Sequence, residues 1–182
     1  MNNKMILIKM VVTKPNPRKI LITGLPGSGK SRLHKFLQSK GYNSVDADDT
    51  FLSYNGKKLP VGASMKWLLQ NPPMWNEEKL GAIFEKNKDK DLYVVGVAPN
   101  MLKFLKHFDE VYYLDADRET LTYRLKAQRS NPYGTTKAQR RLAILTLPVA
   151  VIASKIAGFK FVDASLPTEQ IFNKISNSNE NA

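Results

Sequence analysis

The stretch Gly24-Leu25-Pro26-Gly27-Ser28-Gly29-Lys30-Ser31 constrains the chain more than any other. It satisfies G-x-x-x-x-G-K-[ST] in full and stands between an apolar run, Ile20 to Thr23, and a segment with the apolar spacing of a helix. Glycines at these positions let the backbone curl so that successive N–H groups point inward at phosphate oxygens, and the helix N-terminus adds its positive end. Lys30 is then placed to reach the β and γ phosphates, and Ser31 to hold Mg²⁺ through its hydroxyl. The expected ligand is a nucleoside triphosphate, ATP by preference, cradled from Gly24 to Arg32. A glycine-rich turn without a ligand is the bland alternative, and the complete motif between the correct elements argues against it.

A motif that requires a strand, a loop and a helix in that order also predicts what surrounds it. Apolar runs recur as KILITG, NSVDAD, LYVVGVA, EVYYLDAD and KFVDAS, each followed by a helix-length segment. Strands alternating with helices predict an α/β fold with a five-stranded parallel sheet, flanked by helices on both faces. Helices are expected over 30–38, 65–70, 76–85, 99–106, 118–128, 136–157 and 167–176. The 182 residues suit one core, so residues 19–176 are read as a single domain. Residues 1–18, with MILIKMVV and TKPNPRK, form an N-terminal extension that could add an edge strand, and 177–182 a frayed tail.

The composition narrows the chemistry. No apolar run reaches 18 residues, which argues against a membrane span, and lysine breaks the opening apolar stretch, which argues against a cleavable leader. A soluble protein is expected, and a cytoplasmic one on the strength of ATP use. With no cysteine and two histidines, neither a disulfide framework nor a zinc site is expected. The net charge of +12 admits a nucleic-acid partner, an anionic small substrate or a solvated surface, and its spread along the chain is weak evidence for a nucleic-acid stripe. Monomer and dimer both remain open.

The motif alone does not separate kinases, GTPases and motor ATPases. A GTPase needs N-K-x-D, and the nearest match, Asn87-Lys88-Asp89-Lys90, fails at its last position and precedes a strand. Motor ATPases usually run longer, with a sensor region. The second strand favours a small kinase, because it delivers Asp46-Ala47-Asp48-Asp49 at a carboxyl end beside the phosphate loop, where open parallel sheets bind ligands. Phosphoryl transfer to a hydroxyl needs Mg²⁺ held on the phosphates and an acceptor oxygen aligned and relieved of its proton. Asp46 is assigned near the metal and its waters, with a share of the acceptor site, and Asp48 toward the acceptor. The competing assignment is that these carboxylates cap the next turn.

From Lys19 to Ile175, GLPGSGKS followed by VDADD resembles the shikimate kinase and gluconate kinase branch of the nucleoside monophosphate kinase group. Pro73-x-Trp75, VVGVAPN, Phe108-Asp109 before VYYLDAD, Arg124-Leu125 and RSNPYG resemble bacterial and phage nucleotide-kinase-like proteins of the same group. The chain departs from an ordinary adenylate kinase at VVGVAPN, which lacks both acid and arginine. It departs from a true shikimate kinase in having only Gly96 on that strand and Thr50-Phe51-Leu52 after the acids.

The resemblance implies a lid at about 129–135, where Asn-Pro and Gly interrupt any helix, with Arg129 closing on the transferring phosphate. Arg124 is implied as a nucleotide-side residue, a plain helix-surface arginine being equally acceptable, and Arg140 and Arg141 as solvent-facing. Asp163 to Leu166, Asp163 and Ser165 among them, are implied to pack against adenine through main-chain groups. Tyr54, Trp67 and Trp75 fall where such kinases build the acceptor site, with core filling as their default role, and Asn100 is a candidate acceptor contact. His107 is read as an ordinary surface residue. The expected activity is ATP- and Mg²⁺-dependent transfer to a small acceptor, preferably a nucleoside or nucleotide. The rivals are a small hydroxy-acid or sugar-like acceptor, a polynucleotide 5′-hydroxyl kinase or nucleic-acid-associated ATPase, and a module that binds ATP without turnover.

Overall fold

The structure is a computed structural model, and it describes residues 16–58, 60–127 and 137–177. The expected extra edge strand, the lid at about 129–135 with Arg129, and most of the tail lie outside the described residues. Five parallel strands, β1 (Lys19–Thr23), β2 (Ser44–Asp46), β5 (Leu92–Val95), β6 (Glu110–Asp115) and β7 (Lys160–Asp163), form one sheet in the order β2-β5-β1-β6-β7. β1 is therefore central, and the loop that leaves it emerges at the middle of the carboxyl edge.

The alternation expected of a sheet covered on both faces is clean. Ile20 and Ile22 of β1 join Tyr112, Leu114, Tyr93 and Val95 on one face, while Leu21 joins Leu92, Val94 and Tyr113 on the other. The first face is covered by Leu33 and Leu37 of α1 (Lys30–Ser39) and by Ile171, Phe172 and Ile175 of α7 (Thr168–Ser176). The second is covered by Leu80 of α4 (Glu77–Lys86) and by Met101 and Phe104 of a 3₁₀ helix over Met101–His107. That last segment was expected as an α-helix from Pro99. α5 (Arg118–Ala127) and α6 (Lys137–Ile156) complete the helical layers.

Between β2 and α4 lies a part of which the sequence announced only the helix over 65–70. Asp46 ends β2 and its Oδ1 accepts from the Asp48 N–H at 2.9 Å, capping a one-turn helix, α2 (Ala47–Thr50). The chain then forms β3 (Leu52–Ser53), α3 (Met65–Gln70) and β4 (Met74–Trp75), with β3 and β4 paired antiparallel as a separate two-stranded sheet. Strands of two residues carry no periodicity to read. At the opposite, amino edge, Arg18 binds Asp91 at 3.1 Å and Glu110 at 3.0 Å, and Lys160 reaches Glu110 at 2.8 Å, so one cluster joins the amino ends of β1, β5, β6 and β7.

Candidate functional site

The phosphate loop is shaped by close backbone approach. A Cβ on Gly24 would lie 2.8 Å from the Leu114 carbonyl oxygen and 2.8 Å from Ser28 Oγ, and Gly24 has φ of 145°. Gly29, left-handed, caps α1 without a side chain, and the first turn of α1 carries no acid. The first intrahelical bond runs from the Leu33 N–H to the Gly29 carbonyl at 3.0 Å. The amides of Lys30, Ser31 and Arg32 therefore have no helical acceptor, which is the donor set an anion needs.

Lys30 is buried, and its Nζ donates to the carbonyls of Gly24 at 2.6 Å and Leu25 at 3.0 Å. Burial lowers its pKa to about 8, against the opposing pull of Asp48 and Asp46. Asp48 is exposed to solvent on one side while protein crowds it on the other. Burial raises its pKa to about 6, Lys30 opposes that rise, and Asp46 and Asp49 add to it. Lys30, Asp46 and Asp48 thus form one electrostatic group at the joint between the loop and β2. Asp46 is buried, and its cap on α2 shows that the capping assignment and the proximity to Lys30 hold together.

Gly96, which the sequence reading noted only as a departure from the shikimate kinase pattern, helps to form this group. A Cβ there would lie 2.4 Å from the Ala47 Cβ, so the bare glycine lets α2, with Asp48, press against β5. A glycine closing a strand run was the available signal.

Ser31 is exposed on the first turn of α1 and Ser28 Oγ is buried without a hydrogen-bond partner among the described residues. An uncapped helix start, an exposed Ser31 hydroxyl and nearby carboxylates fit a magnesium ion carried on phosphates. Such an ion asks for one or two protein oxygens rather than a closed cage. Among the described residues no group of three His, Asp or Glu side chains could cage a metal.

Other expected residues fall differently. Arg124 Nη2 donates to the Ala164 carbonyl at 2.9 Å and Nη1 approaches the Ser28 carbonyl at 3.4 Å, so its guanidinium spans the phosphate loop and the β7–α7 turn. It is therefore tied to the phosphate loop rather than lying as a plain helix-surface arginine. Arg32 turns away, its Nε donating to Thr168 Oγ1 at 2.6 Å, which leaves its main-chain amide as its offering to the cradle. Asp163 Oδ1 accepts from the Ser165 N–H at 2.8 Å, and hydrogen bonds from Ser165 hold its pKa below the usual carboxylate range. Its carboxylate is engaged in that turn.

Asn100 is held by the backbone of β4: its Oδ1 accepts from the Trp75 N–H and its Nδ2 donates to the Trp75 carbonyl, both at 2.9 Å, which gives its amide a structural role. Trp75 is core, packed edge-on against Phe51 with centroids 5.3 Å apart. Tyr54 and Trp67 pair at 5.7 Å and are half-buried. His107 is exposed, as expected.

A phosphate loop at the centre of a 2-5-1-6-7 parallel sheet, with one acid ending the edge strand β2 and a second in the turn of helix after it, defines a P-loop nucleotide-binding protein with the fold of the small kinases. Residues 20–144 match the family described as "AAA domain", and the chain belongs to that family. A curated relative, the "Nucleotide-binding protein" of Polynucleobacter asymbioticus, is 29% identical over 128 residues, which are 69% of this chain and 38% of that protein. The chain thus spans well under half of that relative's length. Among solved structures, a shikimate kinase from Acinetobacter baumannii superimposes with a TM-score of 0.55 at 16% identity, over 90% of this chain and 96% of the other. A gluconokinase from Sinorhizobium meliloti gives a TM-score of 0.52 at 18% identity, over 92% and 97%. At such identities the likeness speaks for the fold.

Proposed function

We propose that the protein transfers the γ-phosphoryl group of ATP to a hydroxyl of a small acceptor, with Mg²⁺ as cofactor. The observation that carries this reading is the electrostatic group of Lys30, Asp46 and Asp48 at the mouth of an uncapped helix N-terminus. The amides of α1 and Lys30 bind the phosphates, Ser31 and Asp46 would hold the metal, and Arg124 braces the phosphate loop and the β7–α7 turn around the nucleotide. Magnesium supplies neutralisation of charge on the phosphate oxygens. The acceptor oxygen forms a bond to the γ-phosphorus as the bond to the β–γ bridging oxygen breaks. ADP leaves, and the acceptor proton passes to the Asp48 carboxylate. Arg129 belongs to the same proposal as the arginine that closes over the transferring group.

The preferred acceptor is a nucleoside or nucleotide. Between Leu33 and Asp117 the sequence contains no arginine, the residue best suited to fork onto a second phosphate, which favours the nucleoside of the two. A second reading, a sugar-like or hydroxy-acid acceptor, draws support from Asp46-x-Asp48 at a strand end, and the shikimate kinase and gluconokinase are similar in fold. The nucleic-acid reading rests on the +12 charge, and binding through phosphates predicts a steep loss with salt that a small acceptor does not.

Labelled ATP and Mg²⁺ incubated with pooled nucleosides, nucleoside monophosphates, hydroxy acids, sugars and 5′-hydroxyl oligonucleotides test the proposal, beside Lys30→Ala. Transfer into one pool, absent in the variant, is expected. ATP binding without transfer into any pool would sink it.

A further inference from the structure

α6 is apolar on two opposite faces. Ala143, Ile144, Leu147, Ala150 and Ser154 turn toward the core, buried or half-buried. On the other side Leu145, Val149, Ile152 and Ile156 are exposed to 64%, 70%, 58% and 83%. Their spacing of four, three and four keeps them within roughly 60° of the helix circumference at 3.6 residues per turn. An apolar helix that packs by one face alone would carry polar residues on the other. A narrow seam of this repeat is the pattern of helix-on-helix packing, whereas membrane-surface helices carry a broad apolar face with aromatic residues.

The charges say what kind of helix. α6 contains Lys137, Arg140, Arg141 and Lys155 and no acid. At 3.6 residues per turn Lys137, Arg141 and Lys155 border the same side of the seam, and all three are exposed. A second copy laid antiparallel would bring Arg141 toward Lys155, and two chains of net charge +12 repel in either orientation. We propose that the Leu145-Val149-Ile152-Ile156 face of α6 docks an amphipathic helix of another protein whose flanking positions are acidic. Apolar seams supply the contact and the acids answer the basic border.

The probe is a labelled synthetic helix of about four heptads, long enough to hold helicity, with Leu and Ile on its seam and Glu at the flanking positions. Its counterpart carries Lys there. Fluorescence anisotropy is expected to show binding of the Glu helix, no binding of the Lys helix, and at least tenfold weaker binding to Ile152→Lys. The double variant Arg141→Glu, Lys155→Glu should invert the preference. ATP binding, measured alongside, should be unchanged, since none of these residues belongs to the nucleotide site. Failure of the Glu helix to bind, or equal binding of both helices, overturns the proposal. So does a dimer in sedimentation that Ile152→Lys dissolves, which would make a second copy the occupant. Binding to phosphatidylserine vesicles that the same substitution abolishes, with no binding of the peptide, would replace it with a membrane surface.

Discussion

Asn100 and Trp75 exchange two hydrogen bonds of 2.9 Å, the Asn100 amide standing in for a neighbouring strand beside β4. This pins the two-stranded sheet to the segment that follows β5 and so holds the stretch between β2 and α4 against the core. Asn100→Leu leaves a buried N–H and C=O of Trp75 without partners, a loss on the order of 1–3 kcal/mol. Urea unfolding is expected to show that loss, and kinetics a rise in acceptor KM larger than any change in ATP KM. Unchanged stability would return Asn100 to the role of a direct acceptor contact.

Asp48 carries the expected pH dependence. Its pKa is raised to about 6, chiefly by burial, and a base acts in its ionised form. Transfer, followed as kcat/KM for the acceptor, should therefore rise through about pH 6 and level off above it. Asp48→Asn should keep ATP affinity within a few-fold, cut transfer by roughly 10² or more and flatten the acid limb. Transfer that survives the substitution would remove Asp48 from the mechanism.

Lys30 is costly to the empty fold. Its pKa falls from 10.5 to about 8 because burial disfavours its charge, so the folded chain holds fewer protons than the unfolded one between those values. Unfolding free energy attributable to Lys30 therefore rises as pH increases from about 8 to 10.5. Lys30→Met removes the buried charge. The variant should be as stable as the parent or more so at pH 7, and this advantage should shrink toward pH 10. ATP binding and transfer should be lost. Denaturant titrations of both proteins at several pH values give the difference directly.

Gly96→Ala forces a Cβ to within 2.4 Å of the Ala47 Cβ. Neither partner is a flexible side-chain end, so α2 must move off β5. Overpacking of this kind costs about 1–3 kcal/mol, and the displacement carries Asp48 with it. Transfer should fall by more than ATP affinity does. Equal losses of both would mean that the loop, rather than α2, absorbed the shift.

Much of the fold was legible because its signals are local. The five sheet strands show short apolar runs, and α1, α4 and α5 begin within one residue of where their periodicity predicts. The phosphate loop is legible for the same reason, since a continuous octapeptide carries its whole geometry. α2 and the β3–β4 pair were not, because a single turn and two-residue strands depend on partners distant in sequence. Asp46 and Asp48 could be assigned to the right strand end, but whether their carboxylates capped a turn or faced the lysine required both to be seen at once.

What the sequence determined by itself is the phosphate-loop pattern: a contiguous run of glycines, lysine and serine set between a strand and a helix. What only the tertiary structure decided is which side chains are engaged elsewhere. Asn100 is bound to Trp75, Arg32 to Thr168, Arg124 to Ala164, and Lys30 is buried between the loop carbonyls and two acids. Each of these pairings, apart from Lys30 with its own loop, joins residues that are far apart along the chain. Hydrogen bonding and desolvation act through space, so they are decided by the packing of the sheet and its helices.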